Sequence, residues 1–277
     1  MKPGIYTRQQ LTNEQYHASE GISKSGLDLI ARSPAHFAYS ARRQPTRAMH
    51  MGTALHTAVL EPERFAVEYM LLREVTDRRC SAYKEAVKNW GADNVLTGTE
   101  ADKVAGMQES VLSNPGAASL LTGDGDCELS VYAIDPETGL LVKCRFDRLQ
   151  GRIAVDLKKT QDVRASEFSR SVAAYRYHVQ HAFYSDVYEW ATGERLEAFK
   201  FLAVEESMPH ANRLFNLDNE SIQYGRSLYR EALNTYAECV NANEWPGIVC
   251  DEEVIGLPSW AINQWEDNLE ITTEDSV

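Results

Sequence analysis

Residues 128–160 read ELSVYAIDPETGLLVKCRFDRLQGRIAVDLKKT, three alternating runs separated by two turn signals. "ELSVYAI" alternates, "DPETG" turns, "LLVKCRFDRL" alternates, "QG" turns and "RIAVDLK" alternates again, which predicts a three-stranded antiparallel meander. Taking "PETG" (136–139) as the first loop sets Asp135 opposite Leu140 and Glu128 opposite Asp147. Taking Gln150–Gly151 as a two-residue second loop sets Asp147 opposite Ala154 and diagonal to Asp156. Side chains alternate in a strand, so Glu128, Asp147, Asp156 and Lys158 are expected on one face. The opposite face reads Leu129, Val131, Ala133, Leu140, Val142, Cys144, Phe146, Ile153, Val155 and Leu157, and is expected to be core.

Three carboxylates at cross-strand and diagonal reach, roughly 5–8 Å apart, repel one another unless a cation lies among them. Hard oxygens gathered this way suit Mg²⁺ or Mn²⁺. Lys158 would project beside such a metal, where its ammonium can hold or help deprotonate an attacking water. That is a layout for metal-assisted phosphodiester hydrolysis. An Asp-x-Lys pair alone on an exposed strand is ordinarily a solvated edge. Asp147 and Glu128 on the same face turn the reading toward a metal site.

Helices dominate the first 120 residues. "ISKSGLDLIARSPAHFAYSARR" reads as two short helices with Pro34 opening the second, and "GTALHTAVLEPERF" as another that breaks at Pro62. Residues 99–121 follow, with Thr99 and Asp102 resembling a capping box. After the meander, "SEFSRSVAAYRYHVQHAFYSDVYEW" returns to a helical period, "AFKFLAVE" and "ANRLFNL" read as strands, and a last helix spans about 219–240. The pattern predicts one α/β domain over 1–277: a helical lobe (1–122), a catalytic core (123–250) and an acidic tail (251–277).

The chain has 277 residues, 43% hydrophobic and 25% charged, as in ordinary globular proteins. No run is long and apolar enough for a secretory signal or a membrane span, so a cytoplasmic protein without membrane partners is expected. Five cysteines lie scattered without a C-x-x-C pair, which points to reduced thiols rather than a zinc knuckle or disulfide framework. A net charge of −13 argues at first against a polyanionic partner. Eight of those charges, however, are acids in residues 251–277, which hold no Lys or Arg, leaving −5 on the other 250 residues. Arg42, Arg43 and Arg47 cluster in turn. Net charge therefore does not settle the partner.

"FD", followed nine residues after Asp147 by "DLK", resembles the D…D-x-K signature of PD-(D/E)XK nucleases. Gln180 and Tyr184 in "YHVQHAFY" match the Q-x-x-x-Y motif of the RecB-like branch, and "GTALH" supplies its His56. "ISKSGLDLIARSPAHF", "GTALHTAVLEPERF", "CRFDRL" and "YRYHVQHAFYSDVYEW" together resemble the nuclease domain of RecE-type exonucleases, the exodeoxyribonuclease VIII family, over about 22–260. The resemblance implies a PD-(D/E)XK restriction-endonuclease-like fold, a central mixed sheet with flanking helices. It implies a Mg²⁺-dependent 5′-to-3′ exonuclease on linear double-stranded DNA ends that leaves 3′ overhangs for a RecT-type annealing protein.

It also implies a ring-shaped homo-oligomer, trimer or tetramer, in which Arg42, Arg43 and Arg47 would line a DNA channel and ease the charge problem. By the same resemblance Asp147, Asp156 and the Leu157 carbonyl would hold metal, with His56 a ligand or phosphate contact. Lys158 would position the water, and Gln180 and Tyr184 would orient Lys158, the water or the DNA. Glu128 rests on register alone. The family commonly has threonine where Lys159 stands, and Lys159 is expected to point away. Lacking a long N-terminal extension, the chain would be a stand-alone nuclease of phage or prophage type. Two other readings remain: a RecB-like single-strand or helicase-associated nuclease, and a DNA-end-binding protein without turnover.

Overall fold

A computed structural model describes residues 1–41, 46–248, 252–257 and 262. Arg42, Arg43, Cys250 and most of the acidic tail lie outside the described residues. In chain order the elements are β1 (Gly4–Tyr6), α1 (Asn13–Ala18), α2 (Lys24–Arg32), α3 (Pro34–Ala38), α4 (Arg47–Leu60), α5 (Pro62–Glu68), β2 (Met70–Leu72) and α6 (Ser81–Trp90). There follow β3 (Val95–Thr97), α7 (Gly98–Ser113), α8 (Pro115–Thr122), β4 (Asp126–Ile134), β5 (Leu141–Gln150), β6 (Ile153–Thr160), α9 (Ala165–Ala174), α10 (Tyr177–Thr192), β7 (Ala198–Glu205), β8 (Asn212–Phe215) and α11 (Asn219–Ala242). Met1–Pro246 form one unit, and Gly247–Val277 a second whose residues 252–257 are exposed and irregular.

The main sheet runs β1-β4-β5-β6-β7-β8, with β6 and β7 parallel and the other neighbours antiparallel. It is the expected mixed sheet with flanking helices, joined by β1 and by a separate parallel pair, β2-β3, of three residues each. Strands that short carry too little alternation to be read from sequence. The long helical reading of 99–121 divides at Asn114, whose side chain caps α8 ahead of Pro115, and the capping box is Thr97 with Glu100 rather than Thr99 with Asp102. The helix after the meander divides too, where Arg176 takes a left-handed φ of 56° between α9 and α10.

The first hairpin has the expected register: Leu129 pairs with Phe146 and Ile134 with Leu141, which sets Glu128 level with Asp147. Glu128 itself leaves the ladder with a φ of 53°. The second hairpin corrects the expectation. Gln150 pairs with Ile153, Leu149 with Ala154 and Arg148 with Val155, so Gly151–Arg152 make the turn and Asp147 comes level with Asp156 rather than Ala154. Gly151 has a φ of 58°, and a tight hairpin favours glycine at the first central position.

The face assignment is corrected as well, because both sides of this sheet are covered. Leu129, Val131, Val142, Cys144 and Phe146 join α2, α10 and α11 in one core, whereas Val155 and Leu157 join α4 and α7 in a second. Phe146 and Leu149 reach the same core although three positions apart, so strict alternation breaks across Asp147–Arg148. On the outer side of β4 and β5, buried Lys143 donates to the Tyr16 and Ser19 carbonyls and buried Arg145 to that of Leu11, tying down the N-terminal segment.

Helix α10 is held against α11 by backbone proximity: a Cβ at Gly225 would come within 2.2 Å of the His178 carbonyl oxygen. Gly225→Ala must therefore push the two helices apart, and overpacking of this kind costs about 1–3 kcal/mol. A lower urea midpoint with an unchanged slope is expected; a wild-type midpoint would contradict the close approach.

Candidate active site

Strands β5 and β6 hydrogen-bond only over Arg148–Gln150 and Ile153–Val155, then diverge. On the far side of the opening, Ile22 takes the free edge of β5 at Val142. Within the fork the Leu157 amide has no strand partner on β5, and it donates instead to Asp147 Oδ2 at 2.9 Å. A buried N–H must be paired, and here a side chain does what a ladder carbonyl would otherwise do.

Two helices reach the fork from opposite faces of the sheet. From α4, His56 places Nε2 2.8 Å from the Leu157 carbonyl oxygen and Nδ1 3.4 Å from Asp147 Oδ2. Both ring nitrogens face groups that only accept, so the ring is read as an imidazolium. From α10, the Gln180 amide donates to Asp156 Oδ1 at 2.5 Å and accepts from Lys158 Nζ at 3.1 Å. Lys158 Nζ also lies 2.5 Å from Asp156 Oδ2 and 4.5 Å from the centre of the Tyr177 ring. Glu128 sits 3.7 Å from Arg145, which Ser130 and Asn13 also hold.

These contacts set the charges. Burial opposes the charge of His56, but Asp147, with Glu128 and Asp156 behind it, more than restores it, and the imidazole is pushed up to about 9. Burial would likewise raise Asp147, yet His56, Lys158 and the Leu157 amide hold it below the usual carboxylate value. Asp156 goes the other way: burial and the nearby Asp147 raise it despite Lys158. Glu128 is raised by burial and Asp147. For Lys158 burial is overcome by Asp156 and Asp147, so it stays an ammonium well above neutral pH.

Ligand atoms of His56, Glu128 and Asp147 all lie within 4.8 Å of one another. Asp156 Oδ2 is buried and, apart from its ion pair with Lys158, has no hydrogen-bond donor. An oxygen-rich, partly unsatisfied donor set of this kind fits a small divalent cation.

Thus His56, Glu128, Asp147, Asp156, Leu157, Lys158 and Gln180 are brought together. Tyr184, one turn on from Gln180, packs its ring edge-on against Phe146 and Phe199; burial pushes its phenol up, and the charges of Asp156 and Asp147 add to that. Arg47 lies away from the fork: its guanidinium pairs with Glu100 at 2.5 and 2.8 Å and donates to the Val95 carbonyl, so it clamps α4 to α7. Lys159 points away and pairs with Glu206. Two residues escaped the sequence reading, Tyr177 under Lys158 and Arg145 beside Glu128. The first carries a signal, since Tyr177 and Gln180 are three apart on one helix face.

A family model described as a PDDEXK-like domain of unknown function (DUF3799) matches residues 23–253. A crystal structure described as a "Putative exonuclease" from Eubacterium rectale superposes with a TM-score of 0.60 and 15% identity, covering 90% of this chain and 96% of that one. At that identity the likeness is one of fold. A second, SSO0001, aligns with a TM-score of 0.27 and 14% identity over 68% of this chain and 84% of that one. Comparison with curated protein sequences gives no match.

The raised His56 makes a stability test. Below the ordinary value of 6.5 both folded and unfolded states hold the proton and the pairing with Asp147 contributes fully; as pH rises through about 9 that contribution is lost. In EDTA, melting temperature is expected to fall more steeply between pH 7 and 10 for wild type than for His56→Gln. Parallel curves would contradict the pairing.

Proposed function

The chain belongs to the PDDEXK-like family DUF3799, and we propose that it is a divalent-metal-dependent exonuclease that hydrolyses phosphodiesters at linear double-stranded DNA ends. The observation that carries this reading is the fork itself, where Asp147 and Asp156 come level beside Lys158, with the Leu157 carbonyl and His56 alongside.

Asp147, Asp156 and the Leu157 carbonyl would hold Mg²⁺ or Mn²⁺, with His56 and Glu128 as further donors. The bound cation would supply a Lewis acid for a phosphoryl oxygen and a water of lowered pKa. Lys158, kept protonated by the two aspartates, is a donor and a positive charge rather than a base. It would orient the attacking water and offset charge developing on the phosphoryl oxygens. Gln180 fixes Lys158 and Asp156 relative to each other, because its one amide group engages both. His56 would lose a proton to become a ligand, so loading would strengthen as pH rises toward about 9.

The resemblance of the motif blocks to RecE-type exonucleases supports the finer features: 5′-to-3′ polarity, a 3′ strand passed to a RecT-type annealing protein, and a ring-shaped homo-oligomer. The name of the Eubacterium rectale structure agrees with exonuclease activity.

Purified protein with Mg²⁺ and a linear duplex labelled at either 5′ or 3′ ends, beside a closed circle, tests this. Label release from linear DNA is expected to start at the 5′ end, to stop in EDTA and to fall on the order of 10²–10³-fold in Lys158→Ala. Wild-type release by Asp156→Ala would refute the site, and equal cutting of closed circles would refute the exonuclease reading.

A further inference from the structure

Resting on the nuclease reading above, we propose that Tyr175 is a stacking platform for an unpaired base of the DNA strand beside the scissile phosphodiester. The break between α9 and α10 sets it in place: Tyr175 ends α9, Arg176 takes its left-handed turn, and Tyr177 begins α10. This corner is anchored to α2. Lys24 Nζ donates to the Tyr175 carbonyl at 2.8 Å, and Asp28 pairs with both Lys24 at 2.7 Å and Arg176 at 3.0 Å. Tyr175 is nonetheless 63% exposed. Its ring stacks on Tyr177 at 5.6 Å and 24°, and Tyr177 in turn carries the Lys158 ammonium on its face. An aromatic path therefore runs from the surface to the residue placed at the scissile phosphate.

Beside this path opens a cavity of about 630 Å³, bounded by Met49 at the start of α4, Thr160 at the end of β6, and Arg170 and Ser171 on α9. That lies within the roughly 300–1,000 Å³ of sites that take a small organic body. The charges around it are already paired: Lys159 with Glu206, Arg170 with Glu167, Asp162 with Arg164. A wall with no net surplus of cations is poorly suited to phosphates. What it offers is an aromatic face, and every base has a face to lay on it. Because the corner is pinned by α2, little side-chain freedom is lost when a base settles there.

The test uses a single-stranded oligonucleotide carrying 2-aminopurine near its end, titrated with the whole protein in EDTA, together with steady-state cleavage in Mg²⁺. Wild type is expected to quench the fluorophore. Tyr175→Ala should lose the quench, bind on the order of 10- to 100-fold more weakly and raise KM with kcat little changed, whereas Tyr175→Trp should retain binding and quench. Being exposed, the position tolerates both changes, and unchanged melting curves would confirm folding. If wild type cleaves DNA while Tyr175→Ala keeps wild-type quench and KM, the platform is refuted and the nuclease reading stands. If wild type does not cleave DNA, the nuclease reading falls and the platform falls with it.

Discussion

One hydrogen bond organises the site: the Leu157 amide donating to Asp147 across the gap where β5 and β6 part. Two strands cannot separate inside a protein without leaving backbone groups that need partners. Here the partner is a carboxylate, so the fork imports a negative charge into a place shielded from water. That charge calls for positive neighbours, and His56 and Lys158 answer it from opposite faces of the sheet.

The two layers of core explain why those neighbours arrive where they do. Helix α4 is seated by Leu55, Ala58 and Val59 on the Val155 and Leu157 face, which delivers His56 to the Leu157 carbonyl. Helix α10 is seated by Val179, Ala182 and Phe183 on the opposite face, which delivers Gln180 to Asp156 and Lys158. Each fully buried Phe or Leu in these contacts is worth about 1.5–3 kcal/mol, so the polar groups at the fork are placed by apolar surfaces they do not touch. The charges then divide unequally between the two aspartates: Asp147, facing His56 and an amide, is held ionised, while Asp156, more buried and repelled by Asp147, resists ionisation.

Much of this was legible in residues. "DPETG" carries enough turn chemistry to fix the first hairpin, and with it the alignment of Glu128 and Asp147. The second hairpin is ambiguous in the sequence, because Gln150–Gly151 and Gly151–Arg152 both offer loop residues, and only the backbone tells which position needs the positive φ. The slip left the convergence of Asp147 and Asp156 intact, since a shift of one residue at the turn moves the pairing by two, although the break in alternation across Asp147–Arg148 puts Val155 and Leu157 on the face opposite Phe146. Alternation predicts two faces but neither that both are covered nor that it breaks across Asp147–Arg148, so Ile153, Val155 and Leu157 lie in the core opposite the expected one. Arg47 was legible only as a charge; its clamp on Glu100 joins residues 53 apart, which local pattern cannot report. Tyr184 shares the motif spacing with Gln180, and its ring packs against Phe146 and Phe199 within reach of the charges of Asp147 and Asp156.

The central claim is that the opening between β5 and β6 is a divalent-cation site. Anomalous diffraction from crystals soaked in Mn²⁺ addresses it directly. A peak within coordination distance of the Asp147 carboxylate and the Leu157 carbonyl oxygen, lost in Asp147→Asn crystals, is expected. Manganese bound only elsewhere, with those oxygens uncoordinated, would contradict it.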